Sequence, residues 1–409
     1  MRPPMTDPDP EPRRRTFLKA SAAAVVLSAA GCVGRSDDDI DDGSTADGVD
    51  EDAAFEVETV ADGFAHPWGL SFVPGTSKLL VTERDGRLNL VDSADGTVET
   101  VDGTPDVHAA GQGGLLDVTT HPEFDDEPWV YTTYSALNDG GDSTTHLGRG
   151  SLNVDELRLD AFEELHAAEP YVDSNGHYGS RVVFGEDGMV YMTTGDRQFK
   201  DFGPDHVSQD TSNDLGSTLR LTPDGSVPDD NPFVDDPDRR DTLFSYGHRN
   251  VQGATVHPET GELWVSDHGE QDGDELAVVE AGGNHGWPIA HYGCTYGDGD
   301  PIGDQPHERD DVVDPVYYWE CNSGGFPPAG TTFYDGDAFE EWGGDLFVGN
   351  LAGQYLGRFT VDGRDVEEVD PLLADRGWRI RDVEVEPETG YLYVVVDDAN
   401  APIVRLVPE

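Results

Sequence analysis

The feature that most constrains the fold of this 409-residue chain is a pair of strand-like runs that recurs six times. Each copy contains a run with alternating apolar residues, a turn rich in Pro, Asp and Gly, and a second alternating run. Alternation with period two is typical of β-strands, and turns of this composition join antiparallel strands. The six copies begin at Leu70, Leu116, Val182, Ala254, Thr332 and Val383.

Six similar hairpins predict an all-β fold, a six-bladed β-propeller over residues 55–409. A sandwich of six hairpins is the alternative, but it would not need one repeated motif. Ring closure predicts that a strand near residues 55–60 pairs beside residues 403–407. Because the copies are roughly sixty residues apart and compact blades need ~40–50, we expect the surplus in loops. These loops are predicted mainly within residues 134–177, 194–242 and 265–315.

The N-terminal segment has the pattern of an export signal. Arg14 and Arg15 precede a small apolar run at residues 20–30, which is typical of the twin-arginine route and too short to span a bilayer. Residues 1–32 therefore form the predicted signal, and Cys32 follows a lipobox-like sequence. We expect a lipid anchor on the outer face of the cytoplasmic membrane; plain cleavage and a retained short helix are the alternatives.

Charge narrows the possible partners. The chain has 84 Asp plus Glu against 25 Lys plus Arg, a formal net charge of −59, which excludes nucleic acid and anionic lipid surfaces as partners. Residues 33–54 form the predicted acidic, disordered tether. In the remaining chain the acidic residues are interspersed with aromatic and β-branched ones, so we expect a folded, halophilic surface that concentrated salt screens.

Polar, glycine-flanked clusters lie at the ends of the predicted strands, where loops converge on one mouth of a propeller channel. They occupy residues 111–114, 175–181, 195–197, 247–253, 267–275 and 379–382. In this order the clusters resemble those of the glucose/sorbosone dehydrogenase family, whose soluble members use pyrroloquinoline quinone (PQQ). The resemblance extends from His66 to Arg405 and implies a dehydrogenase that oxidises the C1 hydroxyl of aldose sugars to lactones.

The resemblance also implies roles for individual residues. His177 matches the general base, Asp196 the carboxylate that orients it, and Arg249 the cation that stabilises charge on the quinone oxygen. PQQ carries three carboxylates, so an acidic chain needs arginines to bind it. The residues that match positions around PQQ are Gln112, Asn250, Tyr296, Asn350, Leu351, Ala352, Arg379 and Arg381.

Calcium is the second cofactor that the resemblance implies, since a hard cation binds oxygen ligands and polarises the quinone. Gly269 and Glu270 match two backbone ligands, and Glu275 with the carbonyl of His285 matches a second, structural site. Glu270 and His285 stand where the family usually has Pro and Tyr. Ala352 stands where members often have a Lys that contacts the cofactor.

Cys294 and Cys321 lie in turn-rich segments, and outside the cell they can form a disulfide. Two unpaired thiols are the alternative. Members of the family can brace the pocket wall with a disulfide, which favours a bond here across the rim formed by residues 319–327. That segment is longer than is usual in the family.

Two other functions remain open at the level of sequence. One is a non-catalytic extracellular binding propeller, and the other is a calcium-dependent lactonase, which would leave the Arg379 and Arg381 pair unexplained. For the dehydrogenase we expect an aldose substrate and an unidentified electron acceptor at the membrane, with membrane contact only through the lipid anchor.

Overall fold

The computed structural model describes residues 54–409, and the predicted export signal, nearly all of the tether and the lipid anchor lie outside these residues. The described chain contains 26 β-strands and three short 3₁₀ helices, at Val207–Gln209, Pro306–Glu308 and Glu340–Trp342. The predicted all-β six-bladed propeller is confirmed, because six four-stranded antiparallel sheets form a ring. Within residues 54–409, no helix is long and apolar enough to cross a membrane.

Each of the first three blades runs outward from the channel in chain order. The chain starts with β1 (Phe55–Phe64), which belongs to the last blade. Blade one contains β2 (Pro67–Phe72), β3 (Lys78–Glu83), β4 (Leu88–Asp92) and β5 (Val98–Val101). Blade two contains β6 (Leu115–Thr120), β7 (Trp129–Leu137), β8 (Ser143–Asn153) and β9 (Arg158–Ala167). Blade three contains β10 (Val182–Phe184), β11 (Val190–Thr193), β12 (Ser217–Leu221) and β13 (Leu243–Tyr246).

The fourth blade carries an inserted hairpin, and the sixth is completed by the first strand of the chain. Blade four contains β14 (Val251–Val256), β15 (Leu263–Asp267) and β16 (Glu275–Val278), then the hairpin β17 (Ala290–Cys294) and β18 (Pro301–Gly303), and finally β19 (Tyr317–Tyr318). Blade five contains β20 (Pro328–Phe333), β21 (Leu346–Asn350), β22 (Tyr355–Asp362) and β23 (Asp365–Glu368). Blade six contains β24 (Ile380–Val385), β25 (Leu392–Val396) and β26 (Ala401–Pro408).

The ring closes through a pairing between the two ends of the described chain. Strand β1 lies antiparallel to β26, with Phe55 opposite Pro408 and Val57 opposite Leu406. The innermost strands β2, β6, β10, β14, β20 and β24 contact one another in a closed circle. Because the blades repeat radially, the outward-facing sheet edges that remain in residues 54–409 are the outermost strands of the individual blades.

The prediction that residues 134–177 form mainly a loop is wrong. Strands β8 and β9 occupy 21 residues of that segment, eleven in β8 and ten in β9, and they pair along most of their length. Along β8, side chains such as Leu147 and Leu152 are buried beneath neighbouring strands. The hairpin motif identified only two strands per blade, because the outer strands have less regular alternation.

The hydrophobic core lies between neighbouring blades. One cluster joins Tyr334, Trp342 and Phe347 of blade five to Val394 and Val404 of blade six, all of them at most 2% exposed. Full burial of a large apolar side chain stabilises a fold by about 1.5–3 kcal/mol. Such inter-blade packing holds the strand ends rigidly around the channel.

Arg181 connects several blades near the axis. Its guanidinium is ion-paired with Asp117 at 2.9 Å and Asp382 at 2.8 Å, and it donates to the carbonyl oxygen of Gln252 at 2.6 Å. The ring of Trp68 lies 4.3 Å below it. These partners come from blades two, six, four and one, so a single buried cation links most of the ring.

Candidate active site

His177 and Asp196 form a buried hydrogen-bonded pair at one mouth of the channel. Nδ1 of His177 lies 2.7 Å from Oδ1 of Asp196, and both side chains are at most 8% exposed. The second carboxylate oxygen, Oδ2, accepts a hydrogen bond of 2.9 Å from the indole of Trp287. Asp196 therefore fixes one ring nitrogen and leaves Nε2 of His177 as the atom that can accept a proton.

The protonation states of this pair suit a base. Burial lowers the pKa of His177 below its ordinary 6.5, and the bond to Asp196 only partly opposes that shift. Burial raises the pKa of Asp196, but His177, the charge of Arg249 and the N–H of Gln198 together outweigh burial and the pKa is lowered overall. At neutral pH the imidazole is thus neutral and the carboxylate ionised.

The backbone around His177 adopts an unusual conformation. His177 has a φ of 48°, a region that non-glycine residues seldom adopt and that often occurs at functional sites. Its backbone N–H donates to Oε1 of Gln112 at 2.7 Å, and Oδ1 of Asn250 accepts from the N–H of Gly179 at 3.1 Å. Gly195 is required beside this turn, since a Cβ there would clash with the carbonyl of His177.

Arg249 lies next to this pair with its guanidinium buried. Its Nη2 is 2.5 Å from Oε2 of Glu270, while Nε is buried without a hydrogen-bond partner among the described residues. Lys200 Nζ lies 2.6 Å from each carboxylate oxygen of Glu270. Burial raises the pKa of Glu270, but its bonds to Lys200 and Arg249 prevail and the pKa is lowered.

These groups line one cleft of about 440 Å³. Asp196 lies behind His177 and does not line the cleft. A cavity of about 480 Å³ also lies against the inner strands, but its lining includes Asp117, Arg181 and Asp382 and none of the predicted site residues. The predicted residues that the structure brings together in the 440 Å³ cleft are Gln112, His177, Arg249, Asn250, Gly269, Glu270, Tyr296 and Ala352.

The remaining predicted cofactor residues lie outside this lining. Arg379 and Arg381 are ion-paired with Asp397, at 3.3 and 2.9 Å, and Arg379 also donates to the carbonyl oxygen of Leu351 at 3.2 Å. Asn350 is buried, and its Oδ1 accepts from the N–H of Gly353 at 2.6 Å. Asn350, Leu351 and Arg379 thus support the turn that carries Ala352 into the cleft, whereas Arg381 pairs with Asp397 and with Oε1 of Gln252 at 2.8 Å.

The predicted metal residues lie in blade four: Gly269 and Glu270 follow β15, Glu275 begins β16 and His285 follows it. The N–H of Gly269 donates to Oδ1 of Asp274 at 3.0 Å, and Asp272, Asp274 and Glu270 all line the cleft. No group of three or more His, Cys, Asp or Glu side chains in residues 54–409 is arranged to hold a metal ion. A cation here would therefore need backbone carbonyl ligands as well, which is the ligand type predicted for Gly269 and Glu270.

The residues predicted for the second metal site are both buried. Burial, reinforced by Asp267, raises the pKa of Glu275 well above its ordinary value, and its Oε1 has no hydrogen-bond partner among the described residues, with Nε2 of His291 3.9 Å away. The ring of His285 stacks on His248 at 4.3 Å, and burial lowers its pKa strongly. A bound cation would relieve the cost of ionising Glu275.

Sequence reasoning missed several residues of the cleft. The missed side chains are Gln198 and Lys200, together with Trp287 behind Asp196, while His268, Asp272 and Asp274 belong to the predicted polar cluster 267–275 but have no individual predicted role. Lys200 carried one usable signal, because the whole chain has only three lysines.

The bond between Cys294 and Cys321 is confirmed, with Cα atoms 5.6 Å apart. The segment after Cys321 contributes Gly324, Gly325 and Pro327 to the cleft, as expected for a rim.

The molecule is a closed six-bladed propeller with a His–Asp pair at the channel mouth, and the cationic side chains of Arg249 and Lys200 line the cleft there. These features define the class: a β-propeller with an enzyme-type active site. The sequence profile described as Glucose / Sorbosone dehydrogenase matches residues 64–405. The chain belongs to the glucose/sorbosone dehydrogenase family.

Relatives with solved structures support the same assignment. The aldose sugar dehydrogenase of Escherichia coli is 35% identical over 360 residues, 87% of this chain and 94% of the relative. The crystal structure of the soluble E. coli enzyme in its apo-form matches with a TM-score of 0.81 at 34% identity, covering 87% of this chain and all of that one. The PQQ-bound aldose sugar dehydrogenase of Streptomyces coelicolor matches with a TM-score of 0.70 at 27% identity, covering 87% and 99%.

Proposed function

We propose that this protein is a PQQ-dependent aldose sugar dehydrogenase that oxidises the C1 hydroxyl of aldoses to lactones. The observation that carries the proposal is the His177–Asp196 pair, in which His177 lines, together with Arg249, a cleft large enough for a small ligand while Asp196 supports it from behind. Related proteins described as aldose sugar dehydrogenases, one of them PQQ-bound, supply the substrate class and the cofactor.

The donors in the cleft suit a planar, anionic cofactor. Arg249 and Lys200 line the cleft as cations, and Nε of Arg249 and Nε2 of His268 are buried donors or acceptors with no partner among the described residues. Gln112 and Asn250 add amide groups. Arg249 would hold the cofactor beside His177, and bound PQQ would supply the acceptor for the hydride that leaves C1 of the sugar.

The chain's own contribution to the reaction is proton transfer and charge stabilisation. Nε2 of His177 takes the proton of the C1 hydroxyl while Asp196 stabilises the imidazolium that forms. Arg249 stabilises negative charge that develops beside it, and it acts strongly because it is buried. A calcium ion held by the carbonyls of Gly269 and Glu270 would act as a Lewis acid at the same place.

A dye-reduction assay in molar salt tests this function. We expect sugar-dependent reduction only when PQQ and calcium are both added, and His177→Ala should lower turnover by ~10²–10⁴-fold, the usual contribution of a positioned base. His307→Ala, at an exposed histidine outside the cleft, is the control and should retain activity. Equal turnover after treatment with a chelator and without PQQ would contradict the proposal.

We also propose that the protein is exported by the twin-arginine route and anchored by lipid at Cys32, where it passes electrons to a membrane acceptor. The support is the sequence around Arg14, Arg15 and Cys32. Replacing both arginines by lysine should keep the protein inside the cell, and Cys32→Ser should release it from the membrane fraction. Membrane retention of the Cys32→Ser variant would exclude the anchor.

A further inference from the structure

Glu270 occupies an unusual position between the two cations of the cleft. Its carboxylate oxygens lie 2.6 Å from Lys200 Nζ, and Oε2 lies 2.5 Å from Nη2 of Arg249. The Glu270 side chain is 5% exposed and that of Arg249 7%, whereas that of Lys200 is 55% exposed. All three line the cleft, so Lys200 reaches the buried pair from its rim.

Among residues 54–409, Lys200 and Arg249 are the only Lys or Arg side chains that line this cleft, and Glu270 is paired with both. The carboxylate thus stands where an anionic ligand would have to bind. Such a ligand can pair with Arg249 and Lys200 only if the ion pairs that Glu270 forms with these two residues are broken. Glu270 would then be a nearly buried carboxylate without a partner, with Asp272 and Asp274 in the same cleft, which is strongly unfavourable.

We propose that Glu270 couples binding of the anionic cofactor to binding of a divalent cation, and that Lys200 is a cofactor-binding residue in this protein. The inference rests on the proposed function. The cation takes over the Glu270 carboxylate, which frees Arg249 and Lys200 to bind the carboxylates of the cofactor. Lys200 then supplies, from the turn after β11, the positive charge that Ala352 lacks.

The exchange of Glu270 from Arg249 and Lys200 to the cation predicts an effect on cofactor affinity that a direct contact between metal and cofactor would not produce. In the absence of metal, Glu270 competes with the cofactor for Arg249 and Lys200, so removal of its charge should strengthen binding. Coupling between two sites is reciprocal and is typically 5–150-fold in affinity. A direct contact alone would leave the metal-free affinity unchanged when Glu270 loses its charge.

The test is a titration of the purified full-length protein with PQQ, followed by absorbance, in molar potassium chloride. With a chelator present, Glu270→Gln should bind PQQ about 10-fold more tightly than the unsubstituted protein, and calcium should enhance its affinity by a smaller factor. Glu58→Gln is the matched control, since Glu58 pairs with Arg405 on the surface and its loss changes the net charge equally. This control should behave as the unsubstituted protein.

A second pair of variants tests the lysine. With calcium present, Lys200→Gln should weaken PQQ binding about 10-fold, whereas Lys78→Gln, which breaks a surface pair with Asp92 at 3.4 Å, should not. Circular dichroism in the same buffer establishes that each variant is folded, and Glu270→Ala replaces Glu270→Gln if that variant is not.

The outcomes separate the two proposals. If the unsubstituted protein fails to bind PQQ even with calcium, the proposed function is wrong. If it binds PQQ but the metal-free affinities of the Glu270 and Glu58 variants are equal, the coupling is wrong and the function stands. Equal PQQ affinities of Lys200→Gln and Lys78→Gln would remove Lys200 from the cofactor site.

Discussion

At the scale of single residues, the proposed chemistry depends on how the environment of the His177 imidazole sets its pKa. As the proposed base, His177 must be neutral to accept a proton, and burial lowers its pKa below 6.5. Protonation at low pH therefore abolishes the base, and activity falls only as the pH drops through this lowered value. The acid limb of kcat/KM against pH should have its midpoint below 6.5.

Asp196→Asn tests this reading of the pair. The carboxylate of Asp196 raises the pKa of His177 against the effect of burial, so its removal should move the acid limb to still lower pH. Loss of the carboxylate that fixes the Nδ1–H tautomer and stabilises the imidazolium should also reduce the plateau activity by ~10²–10⁴-fold. A pH–rate profile of both proteins checks the direction, and an acid limb that moves upward would contradict the assignment.

At the scale of elements, the site is built from the ends of inner strands and the turns that follow second strands. Gln112 and Arg249 precede β6 and β14, and Asp196 and Glu270 follow β11 and β15. In an antiparallel blade these positions lie at the same end of the sheet. Rigid strands therefore position side chains from several blades around one cleft.

The inner strands themselves depend on Arg181. Arg181→Met should lower the free energy of unfolding by about 3–5 kcal/mol, because it leaves the buried carboxylates of Asp117 and Asp382 without a cation. Arg405→Met, which breaks a surface pair, should cost at most about 1 kcal/mol. Denaturant unfolding in molar salt measures the free energy of unfolding of both variants. Equal losses in Arg181→Met and Arg405→Met would show that the buried ion pairs of Arg181 contribute no more to stability than a surface pair.

The loss of stability in Arg181→Met should depend on pH in a defined direction. Burial raises the pKa of Asp117 to about 6, and Arg181 opposes that shift. Without Arg181 the pKa of Asp117 must rise further. The destabilisation caused by the ionised Asp117 carboxylate is therefore present at pH values above this raised pKa, and it disappears as the pH falls below it and the carboxylate becomes protonated. The stability deficit of Arg181→Met should thus be smaller at pH 5 than at pH 8.

The disulfide belongs to the element scale because it holds the inserted hairpin of blade four against the cleft rim. Cys294 ends β17, and the segment after Cys321 is anchored by the N–H of Asn322, which donates to Asp272 at 2.6 Å. The bond closes a loop with a sequence separation of 27. Replacing both cysteines by serine should lower stability by about 3–4 kcal/mol from chain entropy.

Two measurements check that prediction. Calorimetry should show a lower Tm for the double variant, and digestion of the unsubstituted protein without reductant should give one peptide pair linked through Cys294 and Cys321. Since the rim carries Gly324 and Gly325 into the cleft, relative kcat/KM values for different sugars should change as well. An unchanged Tm together with unchanged sugar preference would contradict a bracing role.

At the scale of the whole molecule, the formal net charge of −59 makes stability depend on salt concentration. Screening length grows from about 3 Å in molar salt to about 10 Å at 0.1 M, so repulsion between carboxylates increasingly opposes the compact ring on dilution. The Tm should fall as potassium chloride is lowered, and calcium should partly offset the loss if it binds the folded state. A Tm that stays constant from molar to 0.1 M salt would contradict a halophilic fold.

The sequence by itself determined the six-bladed architecture and the candidate site at one mouth of the channel. Period-two alternation and Pro/Asp/Gly turns are local properties, and six copies of them leave few folds other than a propeller. Polar residues at strand ends, such as His177 and Arg249, share a cleft because antiparallel strands place those ends together. These parts were predictable since they follow from local pattern and repetition.

Only the tertiary structure decided which side chains meet across blades. Lys200 reaches Glu270 over 70 residues of chain, Arg181 finds its carboxylates in blades two and six, and Arg379 and Arg381 pair with Asp397 rather than line the cleft. Strands β8 and β9 likewise form where a loop was expected, because they bury side chains that alternate irregularly. Such contacts depend on distance and burial in three dimensions, which residue types and their spacing do not specify.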